Sequence, residues 1–331
     1  MLFLKKKHGE DFCIAIFADP QLSGDEWAEG HPKRRILEDT VREVVRRVRP
    51  GLIMLCGDIS YAGDMQAYES YGCFLDSLRI PWTPVWGNHD NQNGPECVSE
   101  QAALCLRHPY CVYESGDPAM GNGNFVIALE EGDRVVEGII VMDSHERMPF
   151  TEPDGSIRNA WSSLIPAQID WYRRQIAALR ERGCEDSTMV LHIPIHAYRT
   201  VWARAFRSDL DAADVTVEQS YTGVCWNEGY KDSCGVKYEI VSSYPGDDGV
   251  FAAIQELGST KTIVCGHNHT NNFVIRHEGV SFVYSMKLGA GAEWNPALNG
   301  GTILRVTEAG VAEIRQEYVR VAPTLLAELG Q

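Results

Sequence analysis

The sequence predicts an α/β fold of two sheets packed face to face with helices outside, and three observations predict it. The first half alternates short apolar runs with segments of helical period, the pattern of β-α-β units and a parallel sheet. After residue 260 short apolar runs follow one another closely and read as antiparallel strands. Finally, five polar clusters each sit just past a strand-like run: Asp19-Pro20-Gln21, Gly57-Asp58, Gly87-Asn88-His89-Asp90, His192 and Gly266-His267-Asn268-His269. In open α/β sheets, ligands bind at the carboxyl ends of strands.

Residues 12–18 are a first buried strand and deliver Asp19. Leu37, Val41, Val44, Val45 and Val48 recur at helical spacing among charged residues, and Pro50-Gly51 stops that helix. Residues 52–56 form the next strand and complete a β-α-β unit, which implies a parallel pair. Tyr68, Tyr71, Phe74, Leu75 and Leu78 mark a second helix, and residues 81–86 a short strand ending at Gly87. Residues 91–122 read as irregular apart from a helical stretch over 96–106. Residues 124–129 and 135–142 flank Glu131-Gly132-Asp133 as a hairpin. Residues 149–166, rich in Pro, Gly and Ser, are expected as surface loop. A helix over 168–182 stops at Gly183, and a short strand over 189–191 leads into His192.

Residues 197–246 carry no strand pattern, and a segment this long without regular structure is expected as a lid or substrate loop. A helix over 248–257 and a strand over 261–265 precede four closing strands, 273–276, 281–286, 302–306 and 312–320. No repeat or linker divides the chain, so residues 1–331 are expected as one domain.

The formal charge of −16 argues against nucleic acid or an anionic membrane as partner. A small phosphorylated ligand stays compatible, because bound cations invert the local field. The start of the chain has the wrong charge order for a signal peptide, and no apolar run approaches the roughly 18 residues of a membrane span. A cytoplasmic location is the expectation. Among ten cysteines there is no CxxC, which argues against a zinc ribbon; Cys97, Cys105 and Cys111, or Cys225 and Cys234, can pair only in an oxidising compartment.

Each cluster taken singly has an ordinary reading. Asp after a strand marks a turn, Gly-Asn is a turn pair, and a lone His is a hydrogen-bonded structural residue. Together they offer carboxylates, an amide and imidazoles, a set that suits iron, manganese or zinc rather than calcium.

Asp19-Pro20-Gln21, Gly57-Asp58, Gly87-Asn88-His89-Asp90, His192 and Gly266-His267-Asn268-His269, in this order, resemble the calcineurin-like metallophosphoesterase family. The resemblance spans about residues 12–270 and implies a four-layer α/β/β/α sandwich of two mixed sheets with a dinuclear metal centre. It implies that Asp58 bridges the ions, that Asp19 and His269 hold one, and that Asn88, His192 and His267 hold the other. His89 would act as general acid or phosphoryl stabiliser, with Asp90 orienting its imidazole. Two cations would clamp a phosphoryl group of a mono- or diester while a hydroxide held between them attacks phosphorus in line.

One position departs from the family pattern: where many members have His, this chain has Gln21, a weaker ligand. Gly57-Asp58-Ile59-Ser60-Tyr61 is similar to the Gly-Asp-x-x-Tyr of purple acid phosphatases, in which the tyrosinate binds ferric iron. Tyr61 is therefore either a metal ligand in place of the missing imidazole or a ring packed near the site. A mixed-valence iron pair and two divalent ions both remain open. His196 is read as a contact beside the ligands; Arg199 is a candidate for phosphate, and Tyr221 and Trp226 for stacking on a substrate ring. Two other functions stay in view, a cyclic-nucleotide-type phosphodiesterase and a non-catalytic, metal-stabilised interaction module.

Overall fold

The structure is a computed structural model that describes all residues, Met1–Gln331. Its strands, in chain order, are β1 (Leu2–Lys5), β2 (Phe12–Phe17), β3 (Leu52–Cys56), β4 (Trp82–Val85), β5 (Phe125–Glu131), β6 (Arg134–Val141), β7 (Arg147–Thr151), β8 (Ile157–Trp161), β9 (Ser187–Val190), β10 (Thr260–Cys265), β11 (Val274–His277), β12 (Val280–Tyr284), β13 (Gly300–Thr307) and β14 (Gly310–Tyr318). A five-stranded sheet has the order β14-β13-β2-β3-β4, and a seven-stranded sheet the order β1-β5-β6-β9-β10-β12-β11.

In the smaller sheet β2, β3 and β4 are parallel, with Ile14 opposite Leu52 and Ile53 opposite Trp82; β13 joins β2 antiparallel. In the larger sheet β6, β9, β10 and β12 are parallel, and β5 and β11 pair antiparallel to β6 and β12.

Period-two alternation divides the larger sheet between two cores. Ile127, Leu129, Ile139, Val141, Val190, Val264 and Val283 join a core shared with the smaller sheet. Their neighbours Val126, Ala128, Ile140, Met189, Ile263 and Phe282 face a second core with the helices Pro166–Glu181, Ala197–Ala205 and Val250–Leu257. On the smaller sheet, the helices Pro32–Val48 and Met65–Ser77 contribute Leu37, Val41, Val44, Tyr68, Tyr71 and Leu75 to the first core. The result is the expected four-layer α/β/β/α sandwich of two mixed sheets. No helix is long and apolar enough to cross a membrane.

Several expectations need correction. Residues 149–166 are not plain loop: β7 and β8 form a hairpin, with Met148 opposite Ala160 and the Arg147 guanidinium 3.8 Å over the Trp161 ring. The charged start of the chain is an edge strand, β1, paired with β5 and turning Leu2 and Leu4 inward. The four closing strands do not make one run; β11 and β12 belong to one sheet, β13 and β14 to the other. Residues 197–246 contain the helices Ala197–Ala205 and Val217–Ser220. Tyr198, Val201 and Trp202 of the first are buried in the second core, so much of this segment is a structural layer rather than a lid. All ten cysteines are free thiols.

Candidate metal centre

The parallel strands of both sheets end at the same edge of the sandwich, and the loops beyond them meet there. The smaller sheet supplies Asp19, Gln21, Asp58 and Asn88; the larger supplies His192, His267 and His269. The ligand atoms of Asp58, His192 and His267 all lie within 4.8 Å of one another. His192 Nε2 is 3.3 Å from Asp58 Oδ2 and 3.1 Å from Asn88 Oδ1, while its Nδ1–H donates to the Cys56 carbonyl at 2.8 Å. That last bond fixes the ring with Nε2 facing inward. Asp19 Oδ1 stands 3.7 Å from His269 Nε2 and 3.9 Å from His192 Nε2, and its Oδ2 accepts from the His267 amide at 3.0 Å.

The local backbone is bent to achieve this. Asp19, Gln21, Asp58 and His267 all take positive φ (54°, 45°, 50° and 82°), a left-handed conformation costly for non-glycine residues. Gly57 has φ +81°, and a Cβ there would lie 2.2 Å from His192 Nδ1, so only glycine lets strand and imidazole approach.

Buried polar atoms are ordinarily paired. Here Asp19 Oδ1, Gln21 Oε1 and both ring nitrogens of His267 are buried without a partner. Burial pushes the Asp19 carboxyl up to about 6 despite His192. Desolvation alone would lower His192, yet Asp58 and Asp19 carry it up to about 10. Asp58 loses solvation too, but His192, by charge and hydrogen bond, and then His89 hold its carboxyl below the usual range. Burial holds the His267 and His269 imidazoles in the neutral form that binds metal. Orphaned lone pairs around two buried carboxylates fit bound cations.

The remaining predicted residues fall in different places. Gln21 donates from Nε2 to Asp58 Oδ2 at 2.8 Å, which leaves its orphaned Oε1 for a cation. Tyr61 is 49% exposed, with its ring 4.6 Å from that of His89. Tyr61, His89, Gln21 and His269 line a cavity of about 560 Å³ together with Lys33 and Glu293.

Asp90 does not orient His89. It is fully buried, and it accepts from the amides of Ile59 (3.1 Å) and Gly87 (2.8 Å) and from the Tyr68 hydroxyl. It therefore braces the two loops from beneath. His89 Nδ1–H donates instead to Gln92 Oε1 at 2.7 Å, a partner that reading the sequence missed although it stands three residues on.

Trp226 cannot stack on a substrate: it is 0% exposed, donates to the Ser220 carbonyl at 2.8 Å and packs on Trp202 and Phe206. Arg199 binds Ser243 through its Oγ (2.7 Å) and carbonyl (3.1 Å), and is not on the cavity wall. Tyr221 is 52% exposed and sits by Cys234 and Tyr318, also away from that wall. The His196 amide donates to Asp248 Oδ2, and its Nδ1 lies 3.1 Å from the Tyr244 carbonyl. Two further residues were not anticipated. The Trp161 ring stands edge-on, 4.4 Å from His267. Buried Lys287 donates to the Asp19 carbonyl oxygen.

Two sheets delivering carboxylates, an amide and imidazoles to one edge define a metallophosphoesterase-type site. The calcineurin-like phosphoesterase profile matches residues 13–271, and the chain belongs to that family. Phosphatase DCR2 of Saccharomyces cerevisiae is 21% identical over 316 residues, covering 90% of this chain; the chain spans about half, 48%, of that relative. A dimetal phosphatase from Danio rerio superposes with TM-score 0.54 at 14% identity, covering 93% of this chain and 97% of that one, a likeness of fold. A purple acid phosphatase from yellow lupin (Lupinus luteus) seeds gives TM-score 0.45 at 12% identity over 96% of this chain and 55% of that one, too weak a likeness to carry weight.

Proposed function

We propose that the chain is a metal-dependent phosphohydrolase whose strand-end residues would hold two ions, with Asp58 a ligand to both. Asp19 and His269 would hold one ion, with Gln21 Oε1 or the Tyr61 phenol beside them; Asn88, His192 and His267 would hold the other. The observation that carries the reading is the set of buried, unpartnered atoms at Asp19, Gln21 and His267. When bound, the ions supply Lewis-acid neutralisation of the phosphoryl charge and a nucleophilic water near neutral pH.

The chain's own residues do the rest. The Gly57 turn and the Cys56 carbonyl fix His192, and the His89 amide holds Asp58 Oδ1 at 2.8 Å. With Nδ1–H committed to Gln92, proton exchange at His89 takes place at Nε2, on the side that faces Asp58 Oδ2 at 3.9 Å. That atom delivers a proton to the leaving oxygen.

The cavity favours a small phosphorylated substrate. Its one lysine, Lys33, is paired with Glu26, and Glu293 adds negative charge, so it offers no track for a polyanion. A panel of aryl and alkyl phosphate mono- and diesters, run with metal-replete wild type and His89→Ala, tests the reading. Turnover should fall in His89→Ala, and further for alkyl than for aryl leaving groups. No hydrolysis of any ester by the wild type, or equal turnover by the variant, overturns it.

A further inference from the structure

We propose that Glu69, Cys73 and His108 form a second, separate cation site, of zinc type, on the outer face of the helix Met65–Ser77. Glu69 and Cys73 are one turn apart on that helix, and His108 reaches across from the chain beyond the helix Pro95–Cys105. Their ligand atoms lie within 4.8 Å of one another.

The second observation is the state of His108. Its ring is only 8% exposed, and Nε2 is buried with no hydrogen-bond partner. Nδ1 lies 2.8 Å from Asp76 Oδ2, a carboxylate that can only accept, so Nδ1 carries the proton and Nε2 an idle lone pair. A carboxylate behind an imidazole is the arrangement that orients a metal-binding histidine. Nε2 is aimed at the helix between the other two ligands. An added Cβ at Gly72 would stand 2.3 Å from it, and Gly72 lies between Glu69 and Cys73 in sequence. Glycine there is what admits the ring.

Thiolate, imidazole and carboxylate together select zinc over magnesium or calcium. A tetrahedral ion with bonds of about 2.0–2.3 Å needs roughly 3.5 Å between ligand atoms. Glu69 and Cys73 are on the exposed face and can close the difference by rotation. Arg107 takes Glu69 Oε2 at 3.3 Å, while Glu69 Oε1 accepts from the Cys73 thiol at 3.8 Å, a bond the ion would replace between the same two atoms. On binding, the Cys73 thiol loses its proton to solvent, and water completes the coordination. The ion would bolt this helix to the segment carrying His108. The same helix holds Tyr68, which donates to Asp90 under the strand-end loops.

Cobalt(II) titration of the chelator-stripped full chain tests the proposal, because none of the ligands proposed at the strand ends is a thiol. Wild type should develop a thiolate-to-cobalt charge-transfer band that zinc abolishes. Cys73→Ser, at an exposed position, should lack the band and bind one equivalent fewer; Glu69→Gln should bind this equivalent at least about tenfold more weakly. On the unmutated chain, zinc should protect Cys73 from alkylation by iodoacetamide. No band in the wild type, a band that survives in Cys73→Ser, or unprotected Cys73 overturns the proposal.

Discussion

The strand-end loops and the outer aromatic layer both bury polar groups, yet they treat them in opposite ways. In the outer layer the Trp226 Nε1–H meets the Ser220 carbonyl, and the Tyr198 hydroxyl donates to the Ile263 and Val283 carbonyls. At the strand ends, buried carboxylate, amide and imidazole atoms have no partner, and the backbone beneath them is strained. Polar atoms in the first region are satisfied within the chain and stabilise it. Those in the second cost stability and make sense only when something else completes them.

That contrast predicts that substitutions divide cleanly between activity and stability. Asp58→Asn should give the largest effect. Hydrolysis of an aryl phosphate by metal-replete protein should fall by about a thousandfold or more, as loss of one preorganised charged group does. The unfolding midpoint of the stripped variant should be unchanged or raised. Trp226→Ala should do the reverse, costing about 3–5 kcal/mol of stability in urea unfolding while kcat of the folded fraction is unchanged. A large loss of kcat there would break the division.

Glu137 tests the rule with a third kind of buried group. Burial pushes its carboxyl from 4.5 up to about 8, against a 2.9 Å hydrogen bond from Thr188. Its folded-state value lies above the unfolded one. The stability it gives is therefore complete below about pH 4.5 and is lost as pH rises through about 8. Glu137→Gln should remove that slope and be more stable than wild type above pH 8 by about 1–3 kcal/mol. Urea midpoints measured across pH check this. Gln92→Ala should have the smallest effect, about a tenfold loss of kcat with little change in KM. A greater loss for alkyl than for aryl leaving groups would separate loss of the His89 tautomer from a purely structural defect.

Much of the centre was legible because the apolar runs end where the chemistry begins. Strands β2, β3, β9 and β10 hand over to Asp19, Asp58, His192 and His267 within a few residues. The side chain of Asp90 was misread because spacing does not say which way a residue points from the short helix Asn88–Asn91. Trp161 was invisible, since β8 is five residues long and its contact with His267 depends on the fold alone. Residues 197–246 lacked a readable period because their aromatic side chains pack on one another as well as on the sheet, which blurs an amphipathic stripe. β1, four residues long, carries too few alternations to register.

Restoring metal to chelator-stripped protein while following aryl phosphate hydrolysis is the most direct test of the central claim. In the Cys73→Ser background, which removes the proposed surface site, activity should be absent without metal. It should return as manganese, zinc or iron is added, saturate at about two equivalents, and not return in Cys73→Ser/Asp58→Asn. Turnover by the stripped protein, or recovery in the Asp58 variant equal to that of its parent, would contradict the assignment of the strand-end cluster as a metal-dependent catalytic centre.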